Sequence, residues 1–154
     1  MIPNKDEIQK KMNDFRGSLK LLNLSVPNEI DRLLNADRSY LKSTPREELC
    51  IDSIKLAQYS LYLKSEANRL KSNISWCEAN INSIIGREVQ NVDAYGVKEK
   101  SLIITRNDPV ARDLEGIRTL CQTQLHSIDE LDRKVDFLSS CFKNLITSII
   151  SPTE

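Results

Sequence analysis

The chain has 154 residues, with 22 basic and 22 acidic side chains, one His, four Gly and five Pro. This length supports one hydrophobic core, and so few Gly and Pro disfavour a many-turned β-sandwich or a glycine-looped nucleotide fold. A chain without net charge is not expected to bind polyphosphates strongly and non-specifically, because such proteins usually carry a basic excess. No nucleotide-binding, metal-binding or catalytic motif is present, so we expect no enzyme activity, no catalytic residue, no metal and no cofactor.

Apolar runs are short throughout the sequence. Leu102-Ile103-Ile104 is typical of the longest runs, whereas about 20 consecutive apolar residues are needed to span a bilayer. We therefore expect a cytoplasmic protein without a membrane partner.

None of the cysteines has the spacing of zinc ligands, and we expect all four to be buried, reduced thiols: Cys50, Cys77, Cys121 and Cys141.

Residues 1–43 are predicted to form an N-terminal helical extension. One helix is expected over about residues 4–23, because apolar residues there alternate in steps of four and three, at Ile8, Met12, Phe15, Leu19 and Leu22. Pro27 is expected to open a second, short helix over about residues 27–37. The remaining residues, 44–151, are predicted to form a long helical hairpin.

The first helix of this hairpin is predicted over about residues 45–90. Thr44 followed three residues later by Glu47 matches a capping box. A packed stripe is expected at Leu63, Ala67, Leu70, Ile74, Cys77, Ile81 and Ile84. Upstream, a slightly displaced apolar face is expected to continue this stripe at Cys50, Ile54, Ala57 and Leu61.

A linker is predicted over about residues 91–108, and it is longer than an antiparallel hairpin requires. Gly96 indicates a turn, and the stretch after it fits either a short helix or an edge strand. Loops longer than the architecture needs often carry function.

The second long helix is predicted over about residues 109–150, after the start signal Asp108-Pro109. From Val110 to Ile149, eleven of twelve heptad positions are apolar, with Gln124 the exception. The fold class is therefore all-α, with two long antiparallel heptad-patterned helices in a helical bundle or coiled coil. Apolar flanks on this helix favour a homo-oligomer. The residues expected in helix packing or in the oligomer interface are Ile74, Cys77, Ile81, Ile128, Leu131, Val135, Leu138, Phe142 and Leu145.

Basic residues gather weakly in three places, of which the linker cluster is the most informative. Its members are Lys98, Lys100, Arg106 and Arg112. A helix face of mixed charge usually serves only solubility. Because this cluster lies in the over-long linker, its members are the candidate nucleic-acid-binding residues.

The order of elements is similar to that of the recombination mediator family of T4-like phages (the UvsY type). The residues that carry the resemblance are Asp52-Ser53-Ile54-Lys55-Leu56, Trp76, and an Asp108-led helix with the run from Leu131 to Phe142. The resemblance covers about residues 46–145 and implies a ring-shaped homo-oligomer that binds single-stranded DNA and loads a RecA-like recombinase. It also implies a location in the host cytoplasm or the virion. The chain departs from the family in its zero net charge and its N-terminal extension of about 44 residues.

Two functional hypotheses follow. The first is an oligomeric recombination mediator that binds single-stranded DNA. The second is a structural or adaptor protein, as in a virion or another complex, that binds partner helices and no nucleic acid. The heptad stripes need apolar partners to cover them, whereas the modest charge clusters do not require a phosphate ligand.

Overall fold

The computed structural model of the protein describes residues 5–21 and 26–150. In chain order its elements are α1 (Lys5–Leu21), α2 (Asn28–Leu34), α3 (Arg38–Ser43), α4 (Arg46–Glu88), a 3₁₀ turn (Val89–Asn91), α5 (Val97–Asn107) and α6 (Pro109–Ile150). Every regular element of the described residues is helical, which confirms the all-α prediction. The two long helices, α4 and α6, pack against each other.

The predicted helices agree with the observed ones except around residues 36–43 and in the linker. The prediction of a helix over 109–150 matches α6, and the prediction over 45–90 matches α4 with its 3₁₀ turn. The expected short helix over 27–37 ends at Leu34, and a further short helix, α3, follows it. The end of the predicted helix over 4–23 and the apolar residue Leu22 lie outside the described residues.

Both long helices pass through two compact units. The described part of the first unit comprises residues 5–21 and 68–125, and that of the second comprises residues 26–67 and 126–150. Within the described residues, neither unit contains a helix that combines the length and the apolar character needed to cross a membrane.

Aromatic side chains join α1 to α4 in the first unit. The Phe15 ring meets the Trp76 ring edge to face, with centroids 5.1 Å apart. The Lys11 ammonium lies 4.9 Å from the centroid of the Trp76 ring, a favourable cation–π distance. Trp76 therefore lies at the contact between α1 and α4. The buried apolar side chains of this unit include Ile8, Met12, Leu70, Cys77, Ile81, Ile84, Ile104, Leu114, Ile117 and Cys121.

Ion pairs supplement this apolar core. The Arg118 guanidinium on α6 lies 2.6 Å from the Glu115 carboxylate and 3.4 Å from the Glu78 carboxylate on α4. Arg16 on α1 pairs with Asp113 on α6 at 3.3 Å. These half-exposed pairs each contribute little stability.

The second unit combines an apolar core with buried hydrogen bonds. Asp37 begins α3 by accepting a bond from the Tyr40 amide at 2.8 Å, and the Tyr40 hydroxyl donates to the buried Asp52 carboxylate at 2.8 Å. The hydroxyl of buried Ser60 on α4 donates to Asp132 on α6 at 2.7 Å. The buried apolar side chains of this unit include Ile30, Leu33, Leu49, Leu56, Tyr59, Leu63, Ile128, Val135 and Phe142.

Thr44 does not act as the capping box predicts. Its hydroxyl donates to the Tyr40 carbonyl at 2.6 Å, and it is the C-cap residue of α3. Because only two residues separate α3 from α4, Thr44 satisfies a carbonyl of the earlier helix instead of an amide of the later one. The Asp108 cap is confirmed, since its carboxylate accepts a bond from the Ala111 amide at 2.8 Å.

The displaced apolar face predicted along the first half of α4 lies largely outside the core. Ile54 and Leu61 are 58% and 69% exposed, whereas Leu56 and Leu63 are fully buried. This segment carries two apolar stripes on different faces, and the core covers only one. The uncovered set is here called the α4 stripe and consists of Ile51, Ile54, Leu61 and Tyr62.

Candidate nucleic-acid interface

Three of the four residues of the linker cluster, Lys98, Lys100 and Arg106, lie on α5, a helix of 11 residues in the first unit. Gly96 is extended before the helix begins, and the Asp108 amide bonds the Ile104 carbonyl where the helix ends. Ile104 is buried, and α5 packs against the 3₁₀ turn Val89–Asn91. The burial of Ile104 thus determines which face of α5 is exposed to solvent.

Two of the predicted cations share that outward face. Lys98 and Arg106 are both exposed and lie eight residues apart, with exposed Leu102 midway between them. Positions separated by four residues lie above one another on a helix, so these three side chains form one row about 12 Å long. This row is here called the α5 ridge.

Lys100 does not belong to the α5 ridge. At 100° per residue it projects about 200° away from Lys98, and it is half-buried. The prediction treated Lys98 and Lys100 as neighbours because they are close in sequence. The helix instead places them on different sides.

Arg112 belongs to a different surface feature. It is exposed at the start of α6 and lines an open groove of about 480 Å³, together with Arg16 of α1, Gly116 and Leu120. Among the described residues, no hydrogen bond or ion pair joins Arg112 to α5. Of the four predicted cations, only Lys98 and Arg106 therefore lie on the same exposed face.

None of the four predicted cations is neutralised by an ion pair within the part of the chain that the structure describes. In contrast, Arg16, Lys55, Lys64 and Arg118 each lie within 4 Å of a carboxylate. The fold has no visible use for the charges of Lys98 and Arg106. The nearest acidic residues in sequence are Glu99, which is exposed and adjacent to Lys98, and Asp108, which follows Arg106 by two residues.

Sequence reasoning missed Tyr95, which precedes α5 by two residues. Its relative exposure is 107%, so the whole side chain is in solvent. Among the described residues it makes no hydrogen bond and no ring contact. The available signal was an aromatic residue beside Gly96 within a linker longer than the fold requires.

The cysteines are free, but only two are buried as expected. Cys77 and Cys121 are fully covered, whereas Cys50 and Cys141 are half-buried. Burial, reinforced by the neighbouring Cys121 thiol, raises the pKa of Cys77 to about 12. Burial also raises the pKa of Cys121. A thiol held neutral in this way is a poor nucleophile, so neither residue forms a reactive centre.

Other candidate chemical groups are dispersed. No three His, Cys, Asp or Glu side chains within residues 5–21 and 26–150 are arranged to hold a metal ion. His126 is exposed and lies 3.4 Å from Glu130, one turn along α6. Its surroundings are those of a solvated helix face.

The predicted packing residues divide into two groups. Cys77, Ile81, Ile128, Val135 and Phe142 are buried within the chain. Ile74, Leu131, Leu138 and Leu145 are half-buried. In the second unit the row Leu131, Leu138 and Leu145 therefore retains apolar surface that the chain itself does not cover.

Comparison with known proteins yields no match to any family model, curated protein sequence or solved structure.

Proposed function

We propose that this protein is a non-enzymatic, self-associating helical protein that binds single-stranded DNA through the α5 ridge. This is the role of a recombination mediator, which the family resemblance also implies. The observation that carries the proposal is the pair of exposed cations, Lys98 and Arg106, which no carboxylate within the described residues neutralises.

A row of this kind suits a nucleic-acid backbone. Cations that the fold does not pair internally can form ion pairs with phosphates without first breaking a contact. The row is about 12 Å long, which is longer than the spacing of successive phosphates along a strand. Lys98 and Arg106 can thus engage different phosphates of one strand, with Leu102 between them.

Self-association compensates for the low charge of the chain. Because acidic and basic residues are equal in number, two cations on one copy give weak binding at physiological salt. Several copies that bind one strand together raise its overall affinity through effective concentration. The α4 stripe and the half-buried row Leu131, Leu138 and Leu145 supply apolar surface for association between copies.

We also infer that α4 and α6 pair as an antiparallel coiled coil. Within the first unit, Glu78 of α4 lies 3.4 Å from Arg118 of α6. Ile84, further along α4, lines a cavity of about 40 Å³ together with Val110, which is nearer the start of α6. Contacts that move forward on one helix and backward on the other support an antiparallel pairing.

The proposal is tested by fluorescence anisotropy with a labelled oligothymidylate at low and moderate salt. The variant Lys98→Glu/Arg106→Glu is expected to bind about 10-fold more weakly or worse at low salt. Two lost phosphate contacts also flatten the log–log salt slope by about 1.4, at about 0.7 per contact. Circular dichroism is expected to be unchanged because neither charge has a partner in the fold.

A matched control is Lys42→Glu/Lys143→Glu, which changes the net charge by the same amount at two exposed lysines of the second unit. We expect this control to retain most of the affinity and the salt slope. Equal losses in both variants would mean that net charge, and not the α5 ridge, determines binding. A wild-type titration that stays flat to high micromolar protein would refute DNA binding.

The second candidate function, a structural or adaptor protein, is favoured by the α4 stripe. An exposed row of Ile51, Ile54 and Leu61 fits the apolar face of another helix better than it fits a phosphate backbone. The adaptor hypothesis expects no binding to oligothymidylate at any ionic strength. It also expects charge reversal on the α5 ridge to be silent, while changes in the α4 stripe abolish complex formation.

A further inference from the structure

We propose that Tyr95 stacks on a nucleobase at the Val97 end of the α5 ridge and makes the site prefer single-stranded DNA with accessible bases. This inference rests on the proposed function and assigns to Tyr95 a role that charge alone does not provide.

The exposure of Tyr95 sets it apart from the other described tyrosines. Tyr59 is 8% exposed and stacks on Tyr62 at 5.9 Å, and Tyr40 is half-buried with its hydroxyl bonded to Asp52. The Tyr95 side chain is fully exposed and has no partner among residues 5–21 and 26–150. Aromatic side chains gain most of their free energy by covering their apolar faces.

Tyr95 lies close in sequence to the α5 ridge. It precedes Lys98 by three residues, in the short loop between the 3₁₀ turn and α5. Gly96 and Val97 separate it from Lys98, and Val97 is itself 73% exposed. The apolar and aromatic surface thus directly precedes the row of cations along the chain.

Single strands are recognised by this combination of chemistry. Cations hold the phosphates, while aromatic faces stack on bases that a duplex would keep stacked on each other. Stacking of this kind is tolerant of sequence because every base has a flat face. Tyr95 lies three residues before Lys98 in the chain, so one strand can place a base on its ring and its phosphates along α5.

The test compares an oligothymidylate with an abasic strand of the same length and charge, each measured by anisotropy at low salt. Wild-type protein is expected to bind the base-bearing strand more tightly, by about 5- to 150-fold for one stacked base. Tyr95→Ala removes most of this preference and leaves affinity for the abasic strand unchanged. Tyr95→Phe retains the preference because it keeps the aromatic face.

Phe137→Ala is the matched control, since Phe137 is an exposed aromatic residue of the second unit that does not belong to the α4 stripe. It is expected to leave the preference for bases intact. The variant Lys98→Glu/Arg106→Glu weakens binding to both strands by the same factor, because it removes phosphate contacts only.

The outcomes separate the stacking role from the proposed function. If the wild type binds both strands equally, or if Tyr95→Ala keeps the full preference, the stacking role is refuted and DNA binding stands. If the wild type binds neither strand, the proposed function falls and Tyr95 is not a base-stacking residue. A preference lost equally in Phe137→Ala and Tyr95→Ala would also overturn the assignment.

Discussion

The α5 ridge and the α4 stripe are both exposed rows on helices, but they present opposite chemistry to solvent. The ridge consists of Lys98, Leu102 and Arg106, whereas the stripe is apolar along its length. In each case the opposite face of the same helix holds the buried residues, such as Ile104 on α5 and Leu56 on α4. The comparison teaches that the core accounts for one face of each helix and that the other face is available for partners of different kinds.

Two phenylalanines of α6 offer the strongest test of this division between covered and uncovered faces. Phe142 is fully buried, whereas Phe137 is 69% exposed. Phe142→Ala is expected to lower the free energy of unfolding by about 3–5 kcal/mol, since it leaves a cavity in the core. Phe137→Ala is expected to change it by less than about 1 kcal/mol. Urea unfolding followed by circular dichroism measures both, and equal losses would contradict the assignment of faces.

Changes in the α4 stripe are expected to alter the free energy of association between copies by less than Phe142→Ala alters the free energy of unfolding. Ile54→Asp/Leu61→Asp places carboxylates on an apolar contact between copies and raises the dissociation constant of the oligomer by about 10- to 100-fold. At a protein concentration at which both the variant and the wild type are monomeric, its unfolding midpoint in urea is expected to stay close to the wild-type value, because both positions are exposed and association adds no stability there. Sedimentation velocity at a series of concentrations measures the association.

Val97→Asp provides a control for this variant, because it places a carboxylate at an exposed apolar position of α5. It is expected to sediment like the wild type. A monomeric wild type at tens of micromolar would count against self-association. An oligomer that survives in Ile54→Asp/Leu61→Asp would shift the contact to the row Leu131, Leu138 and Leu145.

The buried thiols give the smallest expected effect, a change in how the free energy of unfolding depends on pH. Burial raises the pKa of Cys77 from 9.0 to about 12, so between these values the unfolded chain loses the proton while the folded chain keeps it. The stability contributed by the neutral thiol is complete below pH 9 and is lost as pH rises toward 12, by up to about 1 kcal/mol per pH unit. Unfolding measured from pH 8 to 10.5 is expected to show a shallower decline in Cys77→Ala than in the wild type. Identical declines would contradict the burial of this thiol.

The sequence predicted the long helices well because their signals are local and repeated. Asp108-Pro109 fixes the start of α6, and the apolar positions that follow recur over the whole helix. The short helix α3 was missed because only six residues form it and Asp37 is its single start signal. The conformation of residues 97–107 stayed open because the run Leu102-Ile103-Ile104 fits a strand as well as a helix.

The candidate site was less predictable because it depends on which helical face the core covers. Lys98, Lys100 and Arg106 form a cluster in sequence, yet the phase of α5 separates Lys100 from the other two. Likewise, Ile54 and Leu56 are equally apolar, and only packing decides that one is exposed and the other buried. The exposure of Tyr95 could not be derived either, because tyrosine occurs at buried and exposed positions alike.

The most direct test of DNA binding by α5 is hydrogen–deuterium exchange of the wild-type protein with and without oligothymidylate at low salt. We expect the DNA to slow exchange in peptides that cover residues 95–107. Exchange in the first half of α4 is expected to be unaffected by DNA under conditions that keep the oligomer intact. Slowed exchange confined to α4, with no change across residues 95–107, would contradict the assignment of DNA binding to the α5 ridge.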